Sequence, residues 1–431
     1  MTIRTLLGQL ERPREAAGAV FAIAVLVTLL FQTVLPAELR VAESTDYTSL
    51  YAPVARNILA GRGITVGAGT PAIGTPPGYP VVLAGLFGLA DSLGLPEGAA
   101  HLALACVAMG ICCVLVYFMA RSVWGALPAL VAPLIWMTYP FTLWLTKQPN
   151  SEIPFLIVFY GAFGLFWSSL SEPSGGAHRR YLLAGLLVGA AALIRPIAIG
   201  AGVAFGALLW LTRRDLSARS RLGLVTALLL GNLLAVSPWE VWLYGKAGRV
   251  VVLGTNGAAS AVDGVTFALD ATDYRKEMRV PAEVKLLMRD ARAHSQQVGS
   301  PRAAFAFLLG ELKERPLVVA ELVALKIARS WYGTDTGRHE AAILLIQALY
   351  APLVLWASVA AFRRGGKSRR LTIAVWTIVV YFWAMAFAAV PLLRYTVPAI
   401  GLLFALVPAL FIRAGAAPPS PAAARAMEAH A

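Results

Sequence analysis

Apolar residues along this chain gather in long blocks, and polar residues are largely confined to the stretches between them. Blocks near 16–36, 98–119, 126–143, 153–171, 222–240, 340–361, 371–390 and 395–413 are each roughly 18 to 22 residues long, enough to cross a hydrocarbon core of about 30 Å at about 1.5 Å per helical residue. Two shorter blocks, 181–193 and 197–212, meet at Arg195-Pro196. Runs of this kind satisfy their own backbone groups only as helices, so a barrel is excluded. The pattern predicts an all-α polytopic membrane protein with about ten membrane-spanning helices, in a range of about nine to twelve, together with interfacial helices.

Composition agrees. Of 431 residues, 58% are hydrophobic and 14% charged, and the mean hydropathy is +0.69, whereas soluble domains carry about a quarter charged residues. The formal net charge of +14 raises the question of nucleic acid. The basic residues, however, cluster at the ends of apolar runs rather than along one amphipathic face, which is the pattern of membrane topology. Cys106, Cys112 and Cys113 lie in one apolar run, so they give neither a disulfide framework nor metal-ligand spacing, and are expected in the core or against lipid. The first block has two readings. Basic residues precede it and Leu35-Pro36-Ala37 resembles a cleavage site, as in a signal peptide; its length exceeds the usual apolar core of about 7 to 15 residues, which favours a retained span.

Charge fixes the expected orientation. With the N-terminus cytoplasmic, the short basic stretches at Arg121, His178-Arg179-Arg180, Arg213 to Arg221 and Arg363 to Arg370 all fall inside. Of the net +14, this arrangement puts +12 inside and +2 outside. It holds only if the apolar stretch 78–93 does not cross, so that stretch is expected to lie at the outer interface or to dip in and out. The chain is then a multi-pass protein of the cytoplasmic (inner) membrane with both termini cytoplasmic. Residues 1–240 form an N-terminal membrane module with an outer loop, 37–97. Residues 241–339 form a second outer loop, with charged helical patterns at 281–298 and 301–332; it is expected either as a small helical cap or as a solvated linker. Residues 340–413 are C-terminal membrane helices, and the Ala- and Pro-rich tail 414–431 is expected to be disordered.

Cytoplasmic loops this short leave no room for an active domain, so chemistry is expected to face outward. The first outer loop contains Glu43-Ser44-Thr45-Asp46-Tyr47 and ends in Thr75-Pro76-Pro77-Gly78-Tyr79-Pro80. Asp46 can cap a following helix, as can Ser44 or Thr45. A second acid, Glu152, follows Lys147 in Lys147-Gln148-Pro149-Asn150-Ser151-Glu152 on the same expected face. Two carboxylates at one membrane surface can bind a metal or activate a hydroxyl or amine. Arg195, between two short apolar runs, is expensive unless it pairs with an anion or faces water; the alternative is a snorkelling arginine at a helix end.

Asp46-Tyr47, the turn Leu59-Ala60-Gly61-Arg62-Gly63 and the helix opening Pro76-Pro77-Gly78-Tyr79-Pro80 resemble the GT-C glycosyltransferases, particularly bacterial relatives of the dolichyl-phosphate-mannose protein mannosyltransferases and of the lipid A aminoarabinose transferases. The resemblance continues through Ser122-Val123-Trp124-Gly125, Ser151-Glu152, Leu193-Ile194-Arg195-Pro196, Ser237-Pro238-Trp239 and Leu393-Arg394-Tyr395. It covers most of the chain in order, and 245–335 evokes no particular member. The resemblance implies a polyprenyl-phosphate-linked sugar donor and a lipid, glycan or protein acceptor, with no nucleic acid involved. Asp46 matches the position of a general base, a role a carboxylate fills by accepting the acceptor's proton. Glu152 matches a second acidic position that orients the acceptor or, with Asp46, helps to hold a divalent metal; two carboxylates alone are a sparse ligand set for a hard cation, and no other cofactor is implied. Arg195, Arg394 and Lys147 are candidate donor-phosphate ligands, Arg394 having the alternative of an interfacial anchor. Tyr47, Tyr79, Tyr395 and Trp239, with Trp242, are candidates to border the sugar or prenyl site, although aromatic belts place such rings at interfaces without any substrate.

Two other function classes remain. A membrane transporter or flippase for a lipid-linked or envelope substrate would use a Pro-broken helix such as the one expected at Arg195-Pro196. A noncatalytic assembly or receptor protein would need none of these charges. Against transport, the acids lie at the outer boundary rather than at mid-depth, and no second half repeats the break.

Overall fold

The computed structural model describes residues 10–36, 46–147, 149–171, 176–266, 280–294, 301–334 and 339–412. Glu43 and the tail from 414 lie outside the described residues.

Helices appear at all ten expected positions. α1 (Pro13–Val34) leads into a π-helical turn (Tyr47–Tyr51), the short helix α2 (Ala52–Leu59) and a two-stranded hairpin. In the hairpin, β1 (Thr65–Val66) pairs antiparallel with β2 (Thr70–Pro71), Thr65 opposite Pro71 and Val66 opposite Thr70. α3 (Gly78–Leu93), α4 (Glu97–Trp124) and the bent pair α5 (Ala126–Met137) and α6 (Pro140–Thr146) follow. Next come α7 (Glu152–Ser171), α8 (Ala177–Ile194), α9 (Ala201–Thr212) and α10 (Ala218–Ala247). The second polar segment holds α11 (Gly257–Thr266), α12 (Ala282–Ala293), α13 (Pro301–Glu314) and α14 (Pro316–Arg329). The chain closes with α15 (Glu340–Arg363), α16 (Gly366–Ala388) and α17 (Leu393–Leu403), the last continued by a 3-10 stretch, Phe404–Leu410.

Among the described residues, seven helices are long and apolar enough to span a membrane, and the α5–α6 pair, bent by 64°, makes up to eight. The expected ten is reached by adding α9, which is short, and the 23-residue α16. α3, at 16 residues, extends about 24 Å, less than a core thickness, as a helix that does not cross would.

Burial sorts the helices into layers. The last span, Leu393–Leu410, is 83% buried and α1 only 17%, so α17 and α7 form the centre and α1, α10 and α15 the rim. α8 and α10 meet most closely, because Gly185 and Gly189 on α8 face the Leu228 and Asn232 carbonyls, and Gly231 on α10 faces the Leu182 carbonyl. A Cβ at any of the three would fall within 3 Å of backbone or of another Cβ. Small residues spaced by four let backbones approach where no hydrophobic force drives helices together. α1 docks on α4 with Phe21 over Gly110, and Gln32 donates to Thr146 at the far end. The three cysteines are buried.

The pattern 301–332, expected as one helix, is two. Pro316 lacks an N–H and clashes with a preceding helical turn, so it closes α13 and starts α14 at its first position. α12 and α14 bury Val284, Leu287 and Met288 against Val319 and Leu322, a small core of their own.

Candidate active site

The termini of α7, α8 and α17 converge at one end of the bundle, where the first polar segment also packs. α8 stops at Ile194 because Pro196 cannot donate the next helical hydrogen bond and drives its predecessor out of the helical region. Arg195 is accordingly extended (φ −140°, ψ 119°), and a 3-10 turn, Pro196–Ala198, separates α8 from α9. The break turns the Arg195 guanidinium inward. Its Nη1 donates to Ser151 Oγ at 2.9 Å and lies 2.6 Å from Glu152 Oε2.

Glu152 occupies the first turn of α7, where the helix dipole favours a carboxylate, and Asn150 Oδ1 accepts from the Ile153 amide at 3.1 Å to hold that turn. The other Glu152 oxygen faces Arg394, whose Nε is 3.7 Å away in the first turn of α17. Tyr395 lies between the two cations: the Arg195 guanidinium is 5.3 Å and that of Arg394 5.0 Å from its ring, and Arg394 Nη2 donates to its hydroxyl at 3.2 Å. Exposure separates the members. The Glu152 and Arg195 side chains are 4% and 11% exposed, while Arg394 is 31% exposed. Arg394 is the arm of this cluster that reaches open space.

Two tyrosines close the opposite side. Tyr51 and Tyr79 pack edge to face with centroids 5.0 Å apart. Burial pushes the Tyr51 phenol up to about 12, with Asp46, Glu152 and Tyr395 adding to the rise and Arg195 opposing it. Tyr79 is raised further, again chiefly by burial, with Tyr47, Glu152 and Tyr51 assisting. Both stay protonated near neutral pH and offer O–H donors. Tyr79 reaches this position because Gly78 packs on the α8 terminus; a Cβ there would lie 2.5 Å from the Leu193 backbone.

Asp46 is exposed and immediately precedes the π-helical turn. Its backbone is already helical (φ −64°, ψ −35°) and its side chain makes no capping bond, so the capping role is not taken up. π-helical turns recur at functional sites, and this one carries Tyr51 back over the cluster. The Tyr47 hydroxyl lies 2.9 Å from His101 Nε2 on α4. Lys147 lies over the Trp144 ring at 4.0 Å.

Trp239 does not border the cluster as a free ring. Its Nε1 donates to the Leu253 carbonyl at 3.0 Å, it is 4% exposed, and it stacks on Trp242 at 4.8 Å. Ser151 enters the sequence reading only as part of the Ser151-Glu152 motif, and the only signal for Tyr51 is its place one turn after Tyr47, on the helical stretch that Asp46 begins. A metal held by Asp46 and Glu152 does not fit well: Glu152 is committed to two guanidinium groups, and no cluster of three or more His, Cys, Asp or Glu occurs among the described residues.

Comparison with known proteins bears on the fold. The archaeal oligosaccharyltransferase AglB from Archaeoglobus fulgidus, solved in complex with an inhibitory peptide and a dolichol-phosphate, superposes with a TM-score of 0.55 at 12% identity, over 91% of this chain. The apo form of the Archaeoglobus fulgidus oligosaccharyltransferase gives 0.56 at 12% identity, again over 91%. The chain shares the all-helical membrane fold of the archaeal oligosaccharyltransferase. A family model of dolichyl-phosphate-mannose-protein mannosyltransferases matches residues 75–242, a range that includes Tyr79, Glu152 and Arg195 but neither Asp46 nor Arg394. ArnT from Cupriavidus metallidurans, bound to undecaprenyl phosphate, gives a TM-score of 0.45 at 16% identity, over 90% of this chain and 77% of its own. The chain spans 50% of the length of the archaeal oligosaccharyltransferase. No curated protein sequence matches it.

Proposed function

We propose that this protein transfers a sugar from a polyprenyl-phosphate-linked donor to an acceptor at the outer face of the cytoplasmic membrane. The observation that carries the reading is the Arg195–Glu152–Arg394 cluster, with Tyr51, Tyr79 and Tyr395 around it and Asp46 beside it. Two guanidinium groups and one carboxylate leave a single positive charge, the complement of a phosphodiester's single negative charge. Arg394 and the Tyr51 hydroxyl then bind the donor phosphate, with the buried Tyr79 packed behind Tyr51, while Glu152 and Ser151 hold Arg195 in place.

In the reaction the Asp46 carboxylate takes the proton from the acceptor's hydroxyl or amine as its oxygen or nitrogen bonds to the anomeric carbon. The bond from that carbon to the phosphate oxygen breaks, and its electron pair leaves with the polyprenyl phosphate. The second negative charge that appears on the phosphate is met by the cationic cluster, a stabilisation aimed at the charge developing in the transition state. The acceptor is a lipid, a glycan or a protein. AglB was solved in complex with a dolichol-phosphate, which supports a lipid-phosphate donor here.

The experiment is to incubate purified protein in lipid nanodiscs with a labelled polyprenyl-phosphate sugar and an envelope extract as acceptor. Release of polyprenyl phosphate together with a labelled product is expected. Movement of intact donor across a proteoliposome bilayer without cleavage would instead identify a flippase.

A further inference from the structure

Glu240 belongs to none of the groups discussed so far. It lies near the end of α10, directly after Trp239, and its Oε1 accepts the Leu253 amide at 2.8 Å while the Trp239 indole donates to the Leu253 carbonyl at 3.0 Å. Both backbone groups of one residue are thus held by two consecutive side chains. Leu253 needs holding, because it has φ +60°, a left-handed conformation that a branched side chain adopts only when its surroundings impose it.

The grip on Leu253 aims the next three residues at the first polar segment. The Thr255 amide donates to the Ile73 carbonyl at 2.9 Å and the Asn256 amide to the Gly74 carbonyl at 3.1 Å. Gly254 passes so close that a Cβ would lie 2.4 Å from the Gly74 oxygen, and the Asn256 side chain fills the space above Gly74. Four residues after Gly74 comes Gly78, seated on the α8 terminus, and then Tyr79 in the site. A chain of direct contacts therefore runs from Glu240 through Leu253 and the paired 73–74 and 255–256 segments to the loop that presents Tyr79.

We propose that Glu240 is a positioning residue for the sugar-transfer site: by holding Leu253 in its left-handed conformation it latches the start of the second polar segment onto the loop that carries Tyr79. This rests on the function proposed above. Glycine adopts positive φ without strain, so the latch should become independent of Glu240 once Leu253 is glycine.

That dependence gives the test, made on the full-length protein in nanodiscs with two readouts. Glu240→Ala should speed hydrogen exchange at the Thr255 and Asn256 amides and lower kcat about tenfold, with a smaller change in donor KM. Glu240→Gln, which keeps an acceptor oxygen, should stay near wild type in both. Glu240→Ala combined with Leu253→Gly should regain slow exchange and most of the lost turnover. Exchange unaltered in Glu240→Ala would overturn the latch, and faster exchange with unaltered turnover would overturn its link to the site. A double variant that recovers neither would overturn the role of Leu253 geometry. Lack of sugar transfer by the wild-type protein would instead refute the proposed function, and the exchange readout would still report on the latch.

Discussion

At the scale of single residues, the cations of the cluster should respond differently to the same substitution. Arg195 shares a buried ion pair with Glu152, and removing one partner of such a pair typically costs about 3 to 5 kcal/mol because the other charge is left uncompensated. Arg195→Gln is therefore expected to lower thermal stability markedly, and Arg195→Gln with Glu152→Gln to recover much of it. Arg394 is partly open, so Arg394→Gln should leave stability nearly intact and weaken donor binding by about tenfold to a hundredfold, the worth of a charge-assisted hydrogen bond. Melting curves with and without a non-hydrolysable donor distinguish the two; equal melting temperatures for both single variants would contradict the assignment. Asp46 makes no cap, so Asp46→Asn should fold and bind donor normally while turnover falls on the order of 100-fold, the scale of general-base catalysis. A well-folded variant with near-normal turnover would remove Asp46 from the mechanism. The charges were legible in the sequence because each interrupts or borders an apolar run, where a charge is conspicuous. Their pairing was not, since it depends on how the ends of three separate helices meet. Trp239 reads from sequence as either a substrate border or a belt residue because an indole at a membrane boundary looks the same whether its N–H meets a ligand or a backbone carbonyl.

At the scale of elements, periodicity located the helices, and proline decided where they stop. Arg195-Pro196 was read as a break from the sequence and is one. The apolar pattern continues in phase across Pro316 and so predicts one helix there, yet a missing N–H ends a helix whatever the pattern. The helices of the second polar segment also contain a titration. Lys326 on α14 is 1% exposed and donates to the Gly264 carbonyl of α11 at 2.6 Å, and burial pushes its ammonium down to about 7. A lysine near 10.4 when unfolded binds more protons in the unfolded state between these two values, so stability there should rise as pH increases from about 7 to about 10. Below about 7 the folded lysine is charged as well, and the full penalty applies. Exchange protection of α11 and α14, corrected for intrinsic rates, should increase from pH 7 to pH 9, and Lys326→Met should abolish the increase. Protection that falls over this range would contradict the assignment.

At the scale of the whole molecule, block length and charge carried most of the fold. Apolar runs gave every span its place, because the thickness of a bilayer leaves little freedom in helix length. The count of fully qualifying spans came out lower, since a run can be apolar and still be bent, as α5 and α6 are, or too short, as α9 is. Sidedness rests on the excess of basic residues at one end of the bundle, and it predicts that 37–97 and 241–339 face outward. In intact cells a cysteine introduced near residue 65 should react with an impermeant maleimide, and one near residue 365 only after permeabilisation. The reverse pattern would invert the topology and move the proposed chemistry to the cytoplasm.

The cluster draws its members from positions 46, 79, 152, 195 and 394, and this spread has a consequence for biosynthesis. As the chain emerges from the ribosome and its helices enter the membrane in order, the carboxylate of Glu152 is inserted before the Arg195 that neutralises it. Tyr79 has no seat until the end of α8 exists to receive Gly78. The open cation arrives with the final span. A chain cut short before α17 therefore lacks Arg394, and its site for a lipid phosphate is incomplete.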